Sequence, residues 1–265
     1  MIEMLVATAV FVVMLTLLLG MISNASQIWQ RSEGQKNRQQ AARRALEMIA
    51  RDLESAVFPA NTNSATTLQF QVNPGLPGYE NPSAAFWQAA ASAESGGSDL
   101  SDVGYFVAWT TNQTGGAQGE LRRYRLAATN TDASFQLGAN FLSTGKLATH
   151  APGSDDAATQ QGLVSPNIVG LWITLFTRAA DGTAGTNDSL TPYDSRSVPA
   201  PPRPASAEIA VAVIDPRAAR RITNSAAITA LYTTNADDLA TAFNNQFGGG
   251  VQIFKSRVIL PAAQP

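Results

Sequence analysis

MIEMLVATAVFVVMLTLLLGMI, residues 1–22, is the stretch on which the reading of this chain turns. From Met4 to Ile22 no side chain is charged. As a helix that run rises roughly 28 Å at 1.5 Å per residue, close to the thickness of a bilayer's hydrocarbon core. Ala7, Thr8, Ala9, Thr16 and Gly20 interrupt the large aliphatics with small or weakly polar groups, the kind that let helices approach closely in lipid. Residues 1–22 are therefore expected to form a transmembrane helix with a surface for helix packing. A cleaved secretory signal fits less well, since its apolar core is roughly 7 to 15 residues and follows a basic start.

Glu3 sits at the mouth of this run. A lone carboxylate deep in a bilayer costs on the order of 2.5 to 3.5 kcal/mol, so such a group has a partner or a task. At the end of the run it can also stay among headgroups, favoured by the positive end of the helix. Position alone leaves these readings even.

Past the apolar run there is no Pro before Pro59, and Gly34 is the only residue that weakens a helix. The helix is expected to continue through 23–58 and to stop at Pro59, which has no N–H to donate. Its last stretch is amphipathic. Ala42, Ala45, Leu46, Ile49, Leu53 and Val57 share a stripe at the 3.6-residue period, opposite Arg43, Arg44, Glu47, Arg51 and Glu54. Leu46, Ile49, Leu53 and Val57 are assigned to packing against a folded domain. Trp29 reads equally as an interfacial anchor or as an ordinary protein contact.

Residues 59–265 read as one β-rich domain. Strands rich in β-branched and aromatic residues are expected at 67–72, 103–110, 120–127, 168–178, 207–215 and 251–260. The Gly-rich segment 111–119 suits a hairpin turn, which makes the sheet antiparallel. Asp215-Pro216 is a helix start, so a helix is expected over 218–231 and a shorter one over 236–243. Residues 73–81, 92–102, 144–162 and 179–204 read as loops. The fold class is α+β, a long N-terminal helix packed on a mainly antiparallel sheet.

Met1 through Phe11 resembles the N-terminus of type IV prepilins and type II secretion pseudopilins, whose signature is a Gly, then F-T-L-I-E-M-L-V-A, then a long apolar helix. The resemblance implies that Glu3, matching the family's invariant acid, neutralises the N-terminal ammonium of a neighbouring subunit during filament assembly. It makes Glu3, Met4, Leu5, Val6, Ala7 and Phe11 the assembly and interaction residues. It also implies a precursor leader, basic and ending in Gly-Phe, cleaved and methylated by a prepilin peptidase, so the native start is expected upstream of Met1. Such a leader would outweigh Arg31, Lys36, Arg38, Arg43, Arg44 and Arg51, which the positive-inside rule otherwise places in the cytoplasm. The expected location is the bacterial inner membrane, single-pass, in contact with its lipid and with the C-terminal domain periplasmic.

Further along, Ala45 to Leu53, Arg123-Tyr124-Arg125-Leu126, Leu163 to Phe176 and Pro204 to Val213 look, in that order, like segments of the J-type minor pseudopilins. The spacers are longer than in that family, which points to a divergent pilin-like cassette family associated with Verrucomicrobia.

Little supports catalysis. The chain has no Cys and one His. His150 lies in a loop without an evident partner, and no G-x-S-x-G elbow, phosphate loop or dinucleotide fingerprint occurs. No enzyme activity, catalytic residue or cofactor is expected. Asp155-Asp156 and Asp181 to Asp188 offer hard oxygen ligands for calcium, but turn preference explains them better. A net charge of −2 with dispersed Arg and Lys gives no ground for a nucleic-acid partner. Two readings stay open: a non-enzymatic minor pilin or pseudopilin that joins other pilins through its N-terminal helix, or a single-span membrane-anchored binding module that does not polymerise.

Overall fold

The computed structural model describes residues 2–58, 69–74, 84–90, 100–111, 116–126, 162–178, 184–187, 191–195, 197, 201–222, 224–232, 235–247 and 249–261. Helix α1 covers Ile2–Glu54, and the chain divides into two compact units, Met1–Gln40 and Ala41–Pro265. The architecture is α+β: one long N-terminal apolar helix and antiparallel sheets.

In the second unit the described strands are β1 (Phe70–Val72), β2 (Ala85–Ala90), β3 (Leu100–Thr111), β4 (Ala117–Leu126), β5 (Gly162–Pro166), β6 (Ile168–Arg178), β7 (Ala184–Asn187), β8 (Tyr193–Asp194), β9 (Pro204–Ile214) and β10 (Val251–Ile259). Among the described residues, three shorter helices, α2 (Pro216–Ala219), α3 (Ala226–Thr229) and α4 (Ala236–Phe247), lie between β9 and β10. One sheet runs β5-β4-β3-β2-β1-β8, the other β10-β9-β6-β7, and all pairings are antiparallel. The chain passes from the first sheet to the second at Asn167, whose positive φ of 60° turns β5 directly into β6. Asn tolerates that left-handed geometry better than most residues.

Two cores result. In the larger, Ala42, Ala45, Ile49 and Leu53 of α1 are fully buried among Phe70, Trp87, Tyr105 and Leu121 of the first sheet and Leu171, Ile173, Ile209 and Val211 of the second. The smaller lies on the other face of the second sheet, where Val169, Trp172 and Ala212 meet Ile222, Ile228, Leu239 and Phe243 from the helical segment. Both faces of β6 and β9 are thereby covered. A register shift between Ile168 and Gly170 changes the phase of the alternation, so that Ile168 shares the larger core with Leu171 and Ile173 while Val169 shares the smaller one with Trp172.

Several boundaries differ from expectation, each for a visible reason. α1 ends at Glu54, before Pro59, which lies outside the described residues. Ser55 and Ala56 donate to the carbonyls of Asp52 and Leu53, three residues back, and the chain then joins β2: Val57 N–H donates to Gln88 O and Ala90 N–H to Ser55 O. Val57 is therefore not part of the helical stripe; it is half-buried, while Ala56 and Phe58 turn inward. The helix expected over 218–231 is instead α2 and α3. Arg221 and Ile222 close three-residue turns onto Ala218 and Ala219, and the Ile222 carbonyl accepts from Ala117 N–H of β4, which draws the backbone out of helical register. Asn224 then restarts it, its side chain accepting from Ala226 N–H. α4 runs to Phe247, four residues beyond its expected end.

Strands β2, β5, β7 and β8 were not expected. Ala85-Phe86-Trp87-Gln88-Ala89 is buried on both faces and so shows no alternation, and β5, β7 and β8 have five residues or fewer. Gly104 of β3 is fixed by that packing, since an added Cβ would run into the ring of Phe86.

By strand alternation Gln71, Gln88, Asp102 and Arg122 lie on the face of the first sheet away from the larger core, yet all are buried. Arg122 is paired with Glu120 at 2.8 Å. Neither oxygen of Asp102 has a hydrogen bond of good geometry, and a loose contact with the cross-strand Gln88 amide favours the charged form only weakly. Burial therefore pushes the Asp102 carboxyl up to about 8. An acid raised in the folded state stabilises most below its unfolded value, near 3.8, and loses that contribution as pH rises through about 8. Stability is expected to fall across that window, and Asp102→Asn to flatten the decline and leave the protein more stable than the parent at pH 8, as read by thermal melts from pH 4 to 9.

Truncating the stripe at Leu53→Ala or Ile49→Ala is expected to cost about 2 to 5 kcal/mol. Urea unfolding of the detergent-solubilised chain checks this, with the exposed Glu54→Ala as a control that changes little.

Candidate functional site

In the first unit every described side chain from Ile2 to Trp29 is exposed, and those from Met4 to Ile22 are almost all apolar. Met4 is 80 % exposed and Phe11 64 %. Soluble proteins rarely leave so large a contiguous apolar surface open to water. The helix is long and apolar enough to cross a membrane. Its weakly polar groups need no water: Thr8 Oγ1 donates to Met4 O at 3.0 Å and Thr16 Oγ1 to Val13 O at 2.8 Å. Those bonds satisfy hydroxyls that would otherwise be orphaned in hydrocarbon.

Glu3 lies in the first turn. Spacing of four places Glu3, Ala7 and Phe11 along one face. Met4 and Val6 are exposed on other faces, and Leu5 belongs to the helix although its side chain is outside the described residues. The helix thus gathers three of the six residues expected to serve assembly into a row headed by the carboxylate.

At the other end of α1, inside the second unit, Asp52 joins the helix to the first sheet. Its carboxylate accepts from Arg123 Nη2 at 2.8 and 3.0 Å and from the Tyr105 hydroxyl at 2.5 Å. Its main-chain carbonyl, one of those left without an intrahelical partner at a helix end, accepts from Trp87 Nε1 at 3.1 Å and from both Ser55 N–H and Ser55 Oγ. Trp87 and Tyr105 belong to a stack across β1, β2 and β3: Phe58 to Phe70 at 4.9 Å, Phe70 to Trp87 at 5.9 Å, Trp87 to Tyr105 at 5.7 Å. The Arg203 guanidinium closes the far end, 4.7 Å from the centre of the Phe58 ring. Burial and the Asp52 charge raise the Tyr105 hydroxyl well above the ordinary phenol range, so it stays a proton donor at any physiological pH.

Of the stripe, Ile49 and Leu53 are fully buried and Leu46 is half-buried against the same core. The sequence placed Asp52 and Arg123 in separate motifs and did not pair them. They are 71 residues apart, and only the Arg-Asp and Arg-Tyr-Arg wording marked either.

No family model, curated protein or solved structure matches this chain. Among the described residues no group of His, Cys, Asp or Glu is arranged to hold a metal ion. His150, Asp155, Asp156, Asp181 and Asp188 lie outside them. The described geometry is that of an apolar helical surface and a charged joint.

Because the Asp52–Arg123 pair is mostly shielded from water, a double-mutant cycle with Asp52→Asn and Arg123→Gln is expected to give a coupling of about 1 to 3 kcal/mol. Tyr105→Phe is expected to cost about 1 kcal/mol, a neutral-donor hydrogen bond. Both are read from urea midpoints.

Proposed function

We propose that this chain is a non-enzymatic structural subunit, a minor pilin or pseudopilin, held in a bacterial inner membrane by the first part of α1 and recruited through that helix into a filament or its tip. The observation that carries the reading is a fully exposed apolar helix headed by one carboxylate, Glu3, on the same chain as an antiparallel β unit into which the end of the helix is built. The prepilin-like wording from Ile2 to Ala9 supplies the role of that acid. Assembly exchanges lipid for neighbouring helices, and the small residues Ala7, Ala9 and Gly20 allow close approach. In so apolar a setting the attraction between Glu3 and the terminal ammonium of an adjacent subunit is far stronger than in water, which gives the assembly its register. The C-terminal unit then stands in the periplasm.

The second reading, a membrane-anchored binding module that never polymerises, draws on the arginine-lined groove described below. The two differ in what Glu3 does. Glu3→Lys is expected to abolish recovery of the protein in sheared filaments or cross-linked tip complexes while leaving membrane insertion intact, measured by fractionation and immunoblot. Normal incorporation of the variant would remove the filament reading and leave the anchored module.

A further inference from the structure

Beside the Asp52–Arg123 joint, the polar flank of α1 and strands β4 and β5 enclose a groove of about 480 Å³. Arg44 and Arg51 line it from the helix, Arg123 and Arg125 from β4, and Met48 and Val164 supply its apolar surface. Two carboxylates also border it, but both are engaged: Glu47 with Arg43 at 2.7 Å and Asp52 with Arg123. Arg44, Arg51 and Arg125 have no ion-pair partner among the described residues, and all three are exposed. The Nε of Arg123 is buried with no acceptor. A chain of net charge −2 thus concentrates three unbalanced guanidiniums around one concavity.

The spacing of these charges selects among anions. Arg44 and Arg51 are seven residues, two turns, apart on the same side of the helix, which separates their backbones by roughly 10 Å at 1.5 Å per residue. A single phosphate does not bridge that distance at full strength. The engaged carboxylates of Glu47 and Asp52 also penalise a compact dianion more than separate single charges. A peptide in the polyproline II form advances about 3.1 Å per residue with three residues per turn, so acidic side chains three positions apart share one face and span about 9 Å. An apolar side chain between them falls over Met48. Guanidinium forks suit carboxylates because two parallel hydrogen bonds form at once.

We propose that this groove binds an extended acidic segment of a partner protein, with two carboxylates three residues apart and an apolar residue between them. Arg44 and Arg51 hold the two ends, Arg125 adds to the attraction from the sheet side, and Met48 and Val164 receive the apolar side chain. The site is independent of the filament reading, since none of its residues belongs to the apolar run.

The test uses the full chain in neutral detergent and a fluorescein-labelled peptide, Gly-Glu-Ala-Leu-Glu-Gly, followed by anisotropy, with the Gln-for-Glu peptide and inorganic phosphate as comparators. Saturable binding is expected for the Glu peptide, at least tenfold weaker for Arg51→Ala/Arg125→Ala at an unchanged melting temperature, and weaker still as salt rises. Arg44→Gln provides the same comparison if the double variant melts lower. Absence of saturable binding, equal affinity of the Gln peptide, equal affinity of the variants, or displacement of the peptide by phosphate at a concentration equal to its own would each overturn the proposal.

Discussion

Asp52 is where the long helix and the first sheet become one structure. Three kinds of donor converge on a single residue: a guanidinium and a phenol on its carboxylate, an indole on its carbonyl. A helix end buried against a sheet leaves carbonyls that must find partners, and a carboxylate beside an apolar core must keep its charge compensated. The arrangement answers both needs with side chains from β2, β3 and β4. It ties the end of α1 to three strands of the first sheet, within one turn of the buried Ile49 and Leu53.

The same geometry explains why the helix ends where it does. Once the Asp52 carbonyl is taken by Trp87 and Ser55, continuing the helix gains less than joining β2, whose Gln88 carbonyl is free to accept from Val57 N–H. The stacked Phe58, Phe70, Trp87 and Tyr105 side chains then line the route of the chain from helix to sheet. Charge left over near the joint is unevenly distributed. Asp52 and Glu47 are used locally, whereas the neighbouring arginines on α1 and β4 are not, and that imbalance gives the groove its character.

The two compact units rest on different physics. In Ala41–Pro265 apolar side chains alternate with backbone pairing to fill two cores, and the second sheet is sandwiched so thoroughly that even Ala210 and Ala212 are buried. In Met1–Gln40 the apolar side chains face outward and the Thr hydroxyls bond back to their own helix. Such a surface is consistent with an environment of lipid or of other helices, as in the function proposed above.

The sequence by itself determined the elements whose periodicity is long and unbroken: the apolar run and amphipathic stripe of α1, the β3–β4 hairpin, and the strands β6, β9 and β10, though not their pairing. Hydrophobic spacing specifies these locally, because each buries a whole face. It also determined which residues of the N-terminal run line up behind Glu3, since a helix fixes the order of its own surface. Tertiary structure alone decided the remainder. The end of α1 at Glu54, the division of 218–231 into two helices around Ile222, the buried Ala-rich β2 and the meeting of Asp52 with Arg123 each depend on hydrogen bonds to segments far along the chain. A residue's own neighbours in sequence carry no record of which distant donor or acceptor will reach it, and that is the physical reason these features were invisible until the chain was folded.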